Sequence, residues 1–257
     1  MSTQPASVVC QIQDNVARIT LNRPPLNILD IPMIGELHDA LTRVQSSSDA
    51  KVLVVAHQGK AFSAGVSIQD HAPDKVGEML EKFHGMIGLL YSLDIPTVAL
   101  VDGMALGGGC ELAVVCDMVL ASDRAVFGQP EIKVGVFPPV AAALFPLLVG
   151  RNRALELLLS GESIDAPEAQ RIGLINKVLP AASFGEKTGE FIRQLTSLSG
   201  STLRLTKRAV NRGLEQSLLA GIAAAERLYL GELMPTEDAR EGLNAFLEKR
   251  KPVWKNQ

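Results

Sequence analysis

The feature that most constrains this chain is a run of glycines set between a strand and a helix. Residues 103–117 read GMALGGGCELAVVCD. The stretch before it, IPTVALVDG, is a short β-branched apolar run that reads as a strand, and CELAVVC after it reads as a short buried helix. Glycines lose more conformational freedom on ordering than other residues, so a run of them marks a place where the backbone must come close to something. A helix that starts there points its unpaired N–H groups outward, ready for an anion or a developing negative charge. Glu111 opens the apolar stretch that follows. A carboxylate at the edge of a core is costly unless it is paired, capped or used.

The rest of the chain fixes the surroundings of that turn. VVCQIQ and VARITLN flank the turn pair Asp14-Asn15 and read as a β-hairpin. IPMIGELHDALTRV has helical apolar spacing, KVLVVAH is a buried strand, KAFSAGVSIQDHAP a loop and KVGEMLEKFHGMIGLLYSL a second amphipathic helix. After the glycine turn, DMVLAS and AVFG read as short strands, and beyond Phe137 strands nearly disappear. In SIDAPEAQRIG a helix starts at Asp165 with Glu168 in capping-box position and stops at Gly173. This order predicts an α/β fold with mixed sheets over the first ~150 residues and helices thereafter.

Composition narrows the function classes. A net charge of −3 over 257 residues argues against a general nucleic-acid binder. The basic stretch LRLTKRAVNR (203–212) is expected to be a solvated helix face. No apolar run is long enough to span a bilayer, and MSTQPASVVCQIQDN has neither a secretory nor a transit pattern, so the expected compartment is the cytoplasm. Cys10, Cys110 and Cys116 offer no disulfide framework and no zinc spacing, and no metal site is expected. His38, His57, His71 and His84 make no metal-ligand pattern and are expected to be ordinary surface or semi-buried residues.

The glycine turn lacks both the Walker lysine and the GxGxxG spacing, which weakens a nucleotide reading. It suits a thioester carbonyl better: two preorganised backbone N–H groups can stabilise the oxyanion, each worth about 3–4 kcal/mol. A second glycine-interrupted loop, AFSAGVSI (61–68), could bring the other N–H. Ala61 stands where a nucleophile elbow would need glycine, so Ser63 reads as a turn hydroxyl. Glu111 and Glu131 are two acids in apolar settings. Singly, Glu111 could complement a helix dipole and Glu131 could cap a turn. Together, beside an oxyanion site, they suggest a general acid and a general base.

At this point the residues resemble a known family. MALGGGCELAVVCDMVLASDRAVFGQPEIKVG, with AFSAGVSI upstream and LSGESIDAPEAQRIGLINKV and EGLNAFLEKRKPVW downstream, is similar to the crotonase superfamily and specifically to enoyl-CoA hydratases. The resemblance covers nearly the whole chain. It implies a spiral of ββα units over 1–195 and a helical trimerisation region over 196–257, assembled as a homotrimer or dimer of trimers. It implies an oxyanion hole from the N–H groups of Val66 and Gly108, with Glu111 as base and Glu131 as acid in the hydration of an enoyl-CoA. Ala64, Val66 and Ile68 map to the CoA pocket, with Gly107 beside them, and Phe246 and Lys249 to a neighbouring subunit's CoA. CoA is then part of the substrate, and no separate cofactor is implied.

Two departures stand out. Ser67 replaces an aspartate common in the family, and PPVAAALFP (138–146) replaces the usual PGAGGTQR. Pro138 and Val140, with Ala141, Ala142 and Leu144, are expected to give a rigid apolar acyl wall. NRPPLNILDIPM, SIQDHAPDKVGEML and GVFPPVAAAL resemble cyclohexa-1,5-diene-carbonyl-CoA hydratases of aromatic degradation. Competing readings are a short-chain enoyl-CoA hydratase of β-oxidation and an enoyl-CoA isomerase, which manages with the acid at Glu131 alone. RNA binding, found in relatives with a lysine-rich early helix, is disfavoured because Arg43 is the sole basic residue of IPMIGELHDALTRV.

Overall fold

A computed structural model describes residues 6–211, 220, 222–223, 226–227 and 229–253. The hairpin is β1 (Val8–Gln13) and β2 (Val16–Leu21), paired antiparallel. Asp14 and Asn15 both take positive φ, as the tight hairpin turn demands. Helix α1 (Ile31–Gln45) follows, its N-terminus capped by the Asp30 side chain on the Met33 N–H.

Three strand pairs then build the spiral: β3 (Val52–His57) with β4 (Ala61–Ser63), β5 (Thr97–Val101) with β6 (Met104–Leu106), and β7 (Met118–Ser122) with β8 (Val126–Gly128). Each pair gives its first strand to one sheet and its second to another. The six-stranded sheet runs β1-β2-β3-β5-β7-β10, where β10 is Lys177–Leu179, and its spiral strands are parallel. The smaller sheet runs β4-β6-β8-β9, where β9 is Ser163–Asp165. Each turn closes with helix: α2 (Val76–Ser92), α3 (Gly108–Val114), then α4 (Pro139–Val149) and α5 (Arg151–Ser160). The expected α/β spiral of ββα units is therefore present.

Strand β3 is apolar on both faces because both are covered. Leu53 and Val55 enter the main core with α1 and α2. Val52 and Val54 pack with Val98, Leu100 and Leu120 against Phe184 and Ile192 of α7 (Phe184–Thr196). Helix α6 (Ala166–Arg171) starts where the capping pattern placed it, with the Asp165 carboxylate accepting from the Glu168 N–H at 2.9 Å, and Gly173 beyond it has φ +85°.

Two expectations need correction. The segment read as one loop, 60–73, contains β4 and a 3₁₀ turn at Ile68–His71. The basic stretch is a solvated face on one side only. It lies on α8 (Gly200–Asn211), and its cations dock that helix onto the spiral: Lys207 sits 2.8 Å from Asp117 and 3.2 Å from the Ile95 carbonyl, and Arg208 is 2.8 Å from Asp94. Lys207 is 8% exposed at its side chain. Arg204, which donates to the Ala50 carbonyl at 3.3 Å, stands three residues before Lys207 and four before Arg208, so this side of the helix meets carbonyls and acids. Arg212 and Trp254 lie outside the described residues. The last helix, α9 (Glu237–Leu247), returns over the 3₁₀ turns 68–71 and 130–134, which brings it to the site.

Candidate active site

Two loops are joined main chain to main chain. Ala64 N–H donates to the Leu26 carbonyl (2.9 Å), Leu29 N–H to Gly65 (3.0 Å) and Ser67 N–H to Leu29 (2.9 Å). The Ser63 hydroxyl accepts from the Gly65 N–H at 3.1 Å, the turn role expected of it. Buried Asn27 braces the junction, its side-chain amide donating to the carbonyls of Gln58 and Ala61, each 2.8 Å away. Within 64–67 these bonds leave one amide without an acceptor among the described residues, that of Val66.

The glycine run faces this amide, and its three residues each have a different neighbour. A Cβ on Gly107, where φ is +52°, would stand 2.5 Å from Glu131 Oε1. On Gly108 it would meet Val66 Cγ2 at 2.6 Å and Phe83 at 3.2 Å, and on Gly109 the Ser63 carbonyl at 2.5 Å. Any side chain would therefore push apart the groups the turn gathers. Helix α3 begins at Gly108 with no side-chain cap, so the Gly108 N–H beside Val66 has no acceptor among the described residues.

Glu111 sits in the first turns of α3 and is 3% exposed. Its Oε1 accepts from the Ala141 N–H at 2.7 Å, and the Val140 amide also faces it. Helix α4 has no side-chain cap of its own, so Glu111 caps it from another helix. Glu131 lies in the 3₁₀ turn Pro130–Val134, half-buried against Gly107. Fully buried Gln129 can turn its amide N–H groups onto both Glu131 oxygens, 3.2 and 3.3 Å away.

Burial pushes the Glu111 carboxyl up to about 7, against the two amides that favour its charged form. Glu131 is raised well above the ordinary carboxylate range, first by burial and then by the charge of Glu111. Two acids so close cannot both ionise easily. Near neutral pH the arrangement favours charge on Glu111, which has amide donors, and the proton on Glu131.

Both acids open onto a cavity of about 610 Å³, a size typical of small-molecule sites. Its walls bring together Ala64, Val66, Ile68, Gly107, Gly108, Pro138 and Phe246. Phe246 thus lines the cavity of its own chain. Lys249 is exposed and does not contribute to the wall. Val140 is a correction: it is fully buried in the core with Ala141, and what it offers the site is its amide toward Glu111. Neither Ala141, Ala142 nor Leu144 lines the cavity, because PPVAAALFP folds into a helix whose N-terminus, rather than its flank, meets it. The apolar wall comes instead from Met79, Leu80 and Phe83 of α2, with Phe137, Pro139 and Tyr229.

A family model described as enoyl-CoA hydratase/isomerase matches residues 11–257. The chain belongs to the enoyl-CoA hydratase/isomerase family, within the crotonase superfamily. It is 37% identical over 249 residues to a probable enoyl-CoA hydratase of Mycobacterium tuberculosis, covering 96% of each protein. It is also 37% identical over 256 residues to a cyclohexa-1,5-dienecarbonyl-CoA hydratase of Thauera aromatica, covering 100% of this chain and 99% of that one. Among solved structures, an enoyl-CoA hydratase from Mycobacterium avium subsp. paratuberculosis superposes with a TM-score of 0.89 at 31% identity, covering 98% of this chain and 99% of the other. An enoyl-CoA hydratase/isomerase from Xanthobacter autotrophicus gives 0.86 at 30% identity, covering 96% and 98%.

In this member of the enoyl-CoA hydratase/isomerase family, two polar wall residues escape the sequence reading. His84 and His71 line the cavity; His71 is buried, which corrects the expectation of a surface or semi-buried residue, and His84 is half-buried with its side chain 8% exposed. His71 Nδ1 lies 2.9 Å from the Ser67 carbonyl, and His84 Nδ1 lies 2.5 Å from Glu226. Tyr229 is 1% exposed, its ring edge-on to Phe137 with centroids 5.2 Å apart. Position 84 falls on the apolar stripe of α2 with Leu80 and Ile87, and that register was the available signal. Among the described residues no helix is long and apolar enough to cross a membrane.

Proposed function

We propose that the chain hydrates a 2-enoyl-CoA thioester. One observation carries this reading: a buried and a half-buried carboxyl group, both with upward-displaced titrations, share a cavity with two backbone amides unpaired among the described residues. Glu111 takes a proton from water as the oxygen bonds to the β-carbon. The double-bond pair moves toward the thioester oxygen, where the Val66 and Gly108 N–H groups stabilise the charge. Glu131 returns a proton to the α-carbon, and one water has been added. Both acids are present, which favours hydration over isomerisation by one acid. Ala64, Ile68 and Phe246 line the same cavity and are the residues assigned to CoA; CoA belongs to the substrate, and no further cofactor is needed.

The narrower reading is a cyclic dienoyl-CoA, with cyclohexa-1,5-diene-carbonyl-CoA as the candidate substrate. The Thauera aromatica relative bears that activity in its name, but a general hydratase is equally similar, so similarity does not choose. Support comes from the wall, where Phe137, Pro138, Pro139 and Tyr229 offer flat, stiff surface that suits a ring better than a flexible chain. A short-chain enoyl-CoA hydratase is the reading that remains without it. The deciding experiment is turnover of crotonyl-, longer 2-enoyl-, cyclohex-1-ene- and cyclohexa-1,5-diene-carbonyl-CoA with product masses. The ring diene should exceed crotonyl-CoA in kcat/KM by about tenfold or more; the reverse order discards the cyclic reading, and no hydration of any thioester discards the hydratase. Leu205 and Val210 stand 60% and 63% exposed on α8, which supports assembly as a trimer or dimer of trimers through the C-terminal region. Sedimentation equilibrium tests that assembly.

A further inference from the structure

The mechanism leaves two buried polar atoms of the cavity wall unused. His84 Nε2 and Tyr229 Oη have no hydrogen-bond partner among the described residues, and both side chains line the cavity. Buried polar groups are usually satisfied, and in a cavity wall a bound ligand can supply the partner.

His84 is the better placed for chemistry. It lines the same cavity as Gly108, Glu111 and Glu131, so a substrate held there meets all four residues. Its Nδ1 lies 2.5 Å from Glu226 Oε2. A carboxylate only accepts, so Nδ1 carries the hydrogen, and Nε2 is the atom that can take up or release a proton. The side chain is 8% exposed, and Glu226 holds the ring from outside the cavity wall. A carboxylate-oriented imidazole with its second nitrogen unengaged is the arrangement of a general acid–base group.

Hydration of a simple enoyl thioester needs no third such group, because Glu111 and Glu131 serve the water and the α-carbon. A conjugated dienoyl thioester does need one. Attack of water at the β-carbon then gives a dienolate, and when its carbonyl re-forms, the pair of the second double bond moves to the far carbon. That carbon lies beyond the one Glu131 serves.

We propose that His84, held by Glu226, is the acid that protonates the far carbon of a conjugated dienoyl thioester, an assignment that rests on the cyclic dienoyl reading. A C–O bond forms at the β-carbon and one water proton passes to Glu111. The Nε2–H proton forms the new C–H bond, and one double bond remains, conjugated with the thioester. Glu111 releases its proton to solvent and the imidazole regains one, so the sum is the addition of one water.

The test compares wild type with His84→Gln, Glu226→Gln and Lys82→Gln on cyclohexa-1,5-diene-carbonyl-CoA and crotonyl-CoA. Reactions run in D₂O as well, with the deuterium located in the product by NMR. His84→Gln should lower ring-diene kcat by about 10²-fold and reduce the ring-to-crotonyl ratio of kcat/KM by about tenfold or more. Glu226→Gln should shift that ratio in the same direction, and Lys82→Gln, exposed on the same helix and away from the cavity, should leave it in place. Wild type that hydrates the ring while His84→Gln keeps its ratio overturns the role of His84 and spares the cyclic reading. Loss of the ratio in Lys82→Gln as well does the same. Wild type inert on the ring overturns both. Thermal melts of each variant separate misfolding from lost chemistry, and Glu226→Gln keeps the imidazole in place if His84→Gln fails to fold.

Discussion

Glu111 Oε1 accepts a hydrogen bond from the Ala141 amide at 2.7 Å, so the proposed base is held by the first turn of a helix that follows it by 30 residues. The position of the carboxylate depends on that backbone contact, which a glutamine oxygen can also make. Glu111→Gln should therefore keep the fold and substrate affinity while kcat falls by about 10²–10⁴-fold. Glu131→Gln should do likewise. Steady-state kinetics on the best thioester decide it, and a variant with near-normal turnover removes that glutamate from the chemistry.

Burial of Glu111 also predicts a pH-dependent stability. Its carboxyl is raised from 4.5 to about 7 in the folded chain. The folded state therefore holds a proton that the unfolded state gives up, and stability from this group is complete below 4.5 and lost as pH rises through about 7. Glu111→Gln removes that loss. The variant should gain up to about 3 kcal/mol over wild type at pH 8 and nothing at pH 4. Urea melts at the two pH values check it; an equal difference at both would contradict the displaced titration.

Gly107→Ala should disable the acid without touching it. The added Cβ would lie 2.5 Å from Glu131 Oε1 at a backbone φ of +52°, so the carboxyl must move or the turn must distort. A displacement near 1 Å can lower the rate by about 10²-fold. Gly35→Ala is the comparison, since nothing lies within 4 Å of a Cβ there. Equal activity in the two variants would refute the contact.

Lys207→Met tests how the C-terminal helices are attached. Lys207 is 2.8 Å from Asp117, which also accepts from the Thr97 N–H at 2.7 Å. Loss of the charged partner should cost about 1.5–3 kcal/mol of stability. A melting temperature equal to wild type would mean that α8 is held by other contacts.

The sequence carried the spiral where the signal is local. Asp14-Asn15 can adopt left-handed backbone, and Asp165 with Glu168 can cap a helix, so the hairpin and α6 were legible before any contact was known. Strands β4 and β6 were not: each has three residues, too few for alternation to register, and they exist because the neighbouring turn of the spiral lies alongside. Glu111, Glu131 and the glycine turn were legible because ordered motifs carry them. Of the residues read as the acyl wall, Pro138 lines the cavity, but Val140, Ala141, Ala142 and Leu144 do not. Val140 and Phe137 are both apolar and near each other in sequence, and only the direction of α4 decides which one meets the cavity. His84 was missed because its partner, Glu226, lies 142 positions away.

Both amides assigned to the oxyanion are main-chain atoms, fixed by the carbonyls of Leu26 and Leu29 and by the start of α3. No single side chain supplies that stabilising charge, and so no exchange of a wall residue such as Met79, Leu80 or Phe137 abolishes it directly. Catalysis and substrate choice are in this sense inherited separately. A lineage built on this scaffold can change the acyl group it accepts, one wall residue at a time, and remain a working catalyst at each step.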